Sequence, residues 1–504
     1  MMSQSAFSQS SHRRMVKTGI AGLDDVLGGG LRPARLYLVE GVPGSGKTTL
    51  SLQFLRDGVR QGEPVLYITL SETNDELQEV ASSHGWDLDG IHIRELIPSE
   101  SALDPSEHYT MFHPADVELS ETTKVILADV EQIRPTRVVI DSLSELRLLA
   151  GGSLRYRRQI LALKQFFAGK ACTVLLLDDL TAFERDLQVQ SIAHGVVLLE
   201  LLSPEYGGDR RRLKVVKYRG VQFRGGYHDY TINRGGLAVF PRLIAAEHRR
   251  RRELSRLSCD LEPLDQLLGG GIETGTSTII VGPPGTGKST LAAQFAAAAA
   301  ARGERAAMFI FDESRNTLLS RTTGLGIPLS EHVNTGHVKI QQIDPAELSP
   351  GEFAHAVRQA VEHENVTVVV IDSLNGYLAA MPNEKFLVIQ LHELLTYLGQ
   401  LDIATIMIGA HQGIIGTTMH SPVDASYLAD AVLLMRYYED SGTIKQAISV
   451  LKKRGGQHER TIREFSLSSG RIKIGQPLHG FRGVLTGVPV LDRHDEGAST
   501  AELI

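Results

Sequence analysis

Cysteine is nearly missing from this chain: only Cys172 and Cys259 occur among 504 residues. Two thiols cannot build a disulfide framework, so the fold must rest on buried cores and suits a reducing compartment. No apolar run of about 18 residues occurs, which argues against a membrane-spanning helix. The opening stretch MMSQSAFSQSSHRR is polar and lacks the apolar segment of a secretory leader. A cytoplasmic location is therefore expected. Positive charge is not in excess either. At a formal net charge of -7, no global field draws the chain to nucleic acid or anionic lipid, so neither is expected as a partner. What is present is 42% hydrophobic residues, enough for two or three domains with real cores.

Glycine, by contrast, is plentiful and falls in a repeat. The segment GIAGLDDVLGGGLRPARLYLVEGVPGSGKTTL aligns with DLEPLDQLLGGGIETGTSTIIVGPPGTGKSTL. Asp24, Gly28 to Gly30 and Lys47 match Asp265, Gly269 to Gly271 and Lys288 at one constant offset. Each loop is followed by a helical run, SLQFLRDGVRQG or AAQFAAAAAARG, closed by a glycine suited to a C-cap. Short apolar runs then read as buried strands, and strand and helix alternate throughout. The fold class expected is α/β, two tandem P-loop domains, each a mainly parallel sheet flanked by helices. The boundaries expected are a disordered segment 1–16, a first domain 17–243, a basic linker 244–255, a second domain 256–475 and a flexible tail 476–504. The linker run EHRRRREL fits either a solvated connector or a nucleic-acid contact.

The pattern G-x-x-x-x-G-K-[ST] occurs twice, as Gly41, Gly44, Ser45, Gly46, Lys47, Thr48 and Thr49, and as Gly282, Gly285, Thr286, Gly287, Lys288, Ser289 and Thr290. Its glycines let successive backbone N–H groups turn toward a phosphate, and the following helix aims its positive end at the same anion. ATP with Mg²⁺ is the ligand expected: the lysines meet the β- and γ-phosphates and the hydroxyls of Thr48 and Ser289 reach the metal. Asp141 and Asp372 each close an apolar strand, RVVID and VVVID, where a second metal ligand belongs. Glu72 and Glu313 follow the next strand and are candidates to activate water. A helix start is the other reading, because Thr73 and Glu76 have capping-box spacing. Lys217 and Arg219 in KYRG, and Lys452 and Arg454 in KKRG, lie far along the chain from either loop. They suit phosphate contacts made across a subunit boundary, or simply a solvated edge strand.

Together these residues resemble the KaiC family of double-domain RecA-like ATPases, most specifically in KKRGGQHERTIREF. The resemblance implies RecA-type folds in tandem, a homohexameric ring, and ATP held between neighbouring subunits. It carries the trans-acting role to Lys217, Arg219, Lys452, Arg454 and His458, whereas Phe223 stands where the first-domain motif has histidine. The family's adjacent glutamate pair reads Ser71-Glu72 and Asp312-Glu313 here, which implies Glu72, Asp312 and Glu313 as catalytic carboxylates. A family phosphoacceptor position falls on Ser426, which implies either serine autophosphorylation or an ordinary helix residue. The expected function is an ATP-hydrolysing signalling ring with other signalling proteins as partners; the alternative is a DNA-dependent ATPase or ring motor, since the core is shared.

Overall fold

A computed structural model describes residues 15–96, 114–180, 187–204, 207–248, 255–379, 387–410, 428–468, 470–479, 481–484 and 490–491. Two compact units divide the chain, Met1–Arg242 and Leu243–Ile504. In the first unit the strands are β1 (Leu36–Gly41), β2 (Val65–Thr69), β3 (Ile91–Glu95), β4 (Arg137–Asp141), β5 (Thr173–Asp179), β6 (Gly195–Leu202), β7 (Arg210–Tyr218), β8 (Tyr227–Asn233) and β9 (Gly236–Phe240). They form one sheet in the order β3-β2-β4-β5-β1-β6-β7-β8-β9. From β3 to β6 the pairing is parallel, and β7 to β9 add antiparallel strands at one side. The second unit repeats this order strand for strand around its own central strand, Ser277–Gly282.

The cause is visible in the strands. VLYIT, RVVID and VVVID are buried at every position, as strands covered by helices on both faces must be. Parallel neighbours need long crossovers, and helices supply them. Helix Lys47–Arg60 buries Leu50, Leu52, Phe54 and Leu55 against the sheet, each contributing roughly 1.5–3 kcal/mol by area. Its counterpart Lys288–Ala301 buries alanine on nearly every side, which lets the helix lie close to the sheet. Just past each helix stands the expected glycine, Gly62 at φ 73° and Gly303 at φ 84°.

Two expected boundaries move. Leu243 and Ala245 are buried in the core of the second unit, so the stretch read as the start of the linker, Ala245–His248, is a 3₁₀ turn of that unit. The tail does not become irregular at residue 476: strand Arg471–Pro477 continues the second sheet, and Phe481–Arg482 pairs with Val490–Leu491. Polar edge strands carry little hydrophobic period, which hid this. The expected disordered segment 1–16 lies outside the described residues as far as residue 14, and Val16 already bridges to Leu31.

One buried histidine makes the first unit sensitive to acid. His228 is 1% exposed. The Arg242 backbone N–H donates to its Nδ1 at 2.8 Å, and its Nε2 lies 2.9 Å from the Arg224 carbonyl. Only neutral imidazole satisfies both. Burial pulls its pKa down to about 4, reinforced by the Arg224 and Arg242 charges and opposed by the Arg224 carbonyl. An unfolded histidine takes its proton near pH 6.5, so stability held above that pH is lost as acidity moves toward pH 4, by about 1.4 kcal/mol per pH unit at most. Thermal unfolding at pH 7 and pH 5 is expected to show a lower first-unit transition at pH 5, with a shallower dependence for His228→Gln; an equal slope in the variant would assign the acid loss elsewhere.

Candidate active site

Each glycine loop leaves the C-terminal end of the central strand and enters a helix whose first residue is the lysine. Gly46 and Gly287 precede the lysines at φ 91° and 94°. A Cβ on Gly46 would lie 2.4 Å from Ile232 Cδ1, so only glycine gives the turn that points the first helical N–H groups into the loop. The hydroxyl of Tyr230 donates to the Ser45 carbonyl at 2.6 Å, and that of Tyr437 to the Pro284 carbonyl at 3.2 Å. The first loop is thus pinned from the antiparallel strands and the second from the parallel neighbour of its central strand.

The two lysines are held differently. Lys47 Nζ donates to the Gly41 and Val42 carbonyls at 3.0 and 3.1 Å and pairs with Asp179 at 2.6 Å. Asp179 ends β5, directly beside Gly41 in register. Ala410 occupies that place beside Gly282. Lys288 donates to the Pro283 carbonyl at 2.7 Å and forms no ion pair among the described residues. Burial, only partly opposed by Asp372, pulls its pKa down to about 8.

Asp141 accepts from Tyr67 at 2.6 Å and, at a long 3.5 Å, from Thr48. Ser289 takes the corresponding place beside Asp372 and favours its charged form. Burial raises the pKa of both aspartates; Asp372 reaches about 6, with the Glu313 and Asp312 charges adding to the rise. Asp372 Oδ2 is buried without a partner among the described residues. An anionic oxygen so placed, beside a hydroxyl, is the donor set a divalent cation takes.

The carboxylates beyond the next strand also differ between copies. Helix Asn74–Ser83 is capped by Thr73 and Glu76 in a full capping box. Glu72 is therefore not needed for the helix start, which rests on Thr73 and Glu76. Glu72 Oε2 is buried and without a hydrogen-bond partner among the described residues. Burial pushes Glu72 up to about 7, helped by Asp141, Glu76 and Asp179 and opposed by Lys47. Glu313 instead meets Arg321, whose two terminal nitrogens donate to its two oxygens at 2.6 and 2.8 Å. Asp312 accepts a hydrogen bond from Ser373. Sequence reading missed Asp179, Tyr67 and Arg321. The doubled aspartate closing TVLLLDD was the one local signal among them.

The basic residues lie elsewhere. Lys217 is level with Val196, which is level with Leu38, and the Arg219 N–H donates to the His194 carbonyl, beside Leu36. At about 3.3 Å per residue these positions stand roughly 10 and 16 Å along the strand from Gly41. Their side chains rest on the Gln190 and Ser191 carbonyls. In the second unit Lys452 donates to the Ala429 carbonyl at 2.8 Å, and Arg454 lies 3.3 Å from Asp430, whose N–H bonds Ser277 at the start of the central strand. His458 follows Gln457, whose carbonyl packs onto Gly269. In both units, then, the fold sets these residues toward the end of the sheet away from their own glycine loop. Ser426 lies outside the described residues, as do residues 249–254 of the basic run. In the other arginine run, 210–212, Arg212 pairs with Glu200 at 2.8 Å and covers the Tyr227 ring. No helix among the described residues is long and apolar enough to cross a membrane.

Comparison with known proteins agrees with this arrangement. A family model described as the KaiC ATPase matches twice, over residues 16–244 and 258–479. The circadian clock oscillator protein KaiC of Synechococcus elongatus is 28% identical over 509 residues, spanning 99% of this chain and 96% of its own. That of Picosynechococcus is 27% identical over 497 residues, covering 97% and 95%. The circadian clock protein KaiC3 of Synechocystis is 26% identical over 490 residues, covering 95% of each. With two parallel-sheet units, each ending its central strand in the same cradle, this chain belongs to the KaiC family of ATPases and carries its domain in tandem.

Proposed function

We propose that the chain binds Mg-ATP at both glycine loops, hydrolyses it, and assembles into a homohexameric ring in the cytoplasm that acts as a signalling switch toward other proteins. The observation that carries this reading is the separation within each unit of a complete phosphate cradle from its cationic pair. Residues at opposite ends of one sheet cannot meet one nucleotide, but copies set side by side bring one end to the other.

The site roles follow. Thr48 with Asp141, and Ser289 with Asp372, hold the metal, which when bound supplies positive charge to the phosphate oxygens. Lys47 and Lys288 hold the β- and γ-phosphates. Glu72 accepts a proton from the attacking water while the bond from the γ-phosphorus to the bridging oxygen breaks and ADP departs with the electron pair. Glu313, with Asp312 beside it, serves the second site. Lys217, Arg219, Lys452, Arg454 and His458 act on the neighbouring subunit's nucleotide. Ser426 is the candidate acceptor of a phosphoryl group. The DNA-motor reading finds no support in Arg212, whose charge is spent within its own sheet.

The variant Glu72→Gln with Glu313→Gln is expected to keep bound ATP and lose at least about 100-fold in turnover, the scale of a missing general base. Phosphate release, retained nucleotide and intact mass of the same samples check this. Undiminished turnover would remove both glutamates from the chemistry, and no added phosphate on the unmutated protein would remove the kinase role of Ser426. Because Asp179 must yield Lys47 to the phosphates, Asp179→Ala is expected to tighten ATP binding at the first site by about ten-fold, or about 1.4 kcal/mol; calorimetry showing weaker binding would make Asp179 part of the cradle instead.

A further inference from the structure

Among the differences between the two copies, one bears directly on the glutamate of the second site. Arg321 sits in helix Arg315–Gly324, and its guanidinium grips both oxygens of Glu313 at 2.6 and 2.8 Å. At the same offset the first copy has Val80, which packs against its apolar core, and there Glu72 Oε2 has no partner among the described residues. The fork matches a carboxylate edge to edge and engages both oxygens at once. A general base must offer an oxygen to water at hydrogen-bond distance, and the pairing competes with that. The pair is not deeply buried: the Arg321 side chain is 35% exposed and that of Glu313 17%. Arg321 Nε is itself buried without a partner, so among the described residues the guanidinium hydrogen-bonds Glu313 alone.

We propose that Arg321 is a positioning residue that restrains Glu313, so that the second site retains ATP and turns it over slowly while the first site, with Val80 in the same place, turns over without that restraint. The inference rests on the ATPase reading above. In the restrained state water still reaches the γ-phosphorus, but its proton finds no available carboxylate oxygen. When the fork is displaced, Glu313 takes that proton, the new P–O bond forms, the bond to the bridging oxygen breaks, and ADP leaves with its electron pair. Restraint of this kind acts on kcat and leaves KM nearly alone, because the cradle is untouched.

The test uses the full chain with Glu72→Gln, so that remaining turnover reports the second site. Adding Arg321→Val is expected to raise kcat roughly ten-fold, a fraction of what a general base contributes, with KM for Mg-ATP unchanged within about two-fold. Arg321→Lys, which keeps the charge but loses the fork, is expected to fall between. The mirror variant Val80→Arg, made with Glu313→Gln, is expected to slow the first site with ATP still bound by native mass spectrometry. ATP bound with kcat unchanged or lower in Arg321→Val would overturn the restraint and make Arg321 an aid to catalysis. Parent chains that bind no ATP would instead sink the ATPase reading. A fall in melting temperature with kcat and KM moving together would mark Arg321 as merely structural and also overturn the inference.

Discussion

A lysine ammonium buried at the end of a central parallel strand is the constraint around which each half of this protein is arranged. Lys47 and Lys288 are both 7% exposed, and a buried cation needs oxygen partners or gives up its charge. The turn that closes over each lysine also exposes the first N–H groups of a helix, which no group of the helix itself can satisfy. A polyphosphate answers both demands at once. Among the described residues the first lysine has Asp179 and two carbonyls, whereas the second has one carbonyl and a depressed pKa.

From that constraint the two halves diverge in opposite senses. Among the described residues, the first site ties up its lysine and leaves Glu72 Oε2 without a partner; the second leaves its lysine without an ion pair and engages its glutamate. Each arrangement uses one carboxylate and one cation, Asp179 with Lys47 in the first unit and Glu313 with Arg321 in the second. A repeat that keeps the cradle and alters what surrounds it is a route to two sites with different tasks.

The phosphate cradle was legible in the chain because glycine, lysine and hydroxyl sit at fixed local offsets, and the strand-ending aspartates because a short apolar run precedes each. The capping box was legible for the same reason. The Lys47–Asp179 pair was not, since it depends on β5 lying beside β1 in register. Nor was the Arg321–Glu313 pair, eight residues apart, because it forms only once a cap at Ser314 sets where the helix begins. The burial of Leu243 and Ala245 in the following unit was not legible either, a tertiary effect with no periodicity of its own. The distance of Lys217 and Arg219 from the first loop was suggested by their position in the chain, but their place along the sheet is a matter of strand register alone.

Sharing of each site between adjacent copies is the central claim, and a mixing experiment reaches it directly. Two chains carrying Glu313→Gln are prepared, one also with Glu72→Gln and the other with Arg219→Ala, and each alone is expected to be nearly inactive. Co-assembled in equal amounts, about a quarter of first-domain sites would pair an intact glutamate with an intact neighbouring arginine. Recovered ATP turnover near that fraction is the result predicted, and a mixture no more active than its components would contradict the account.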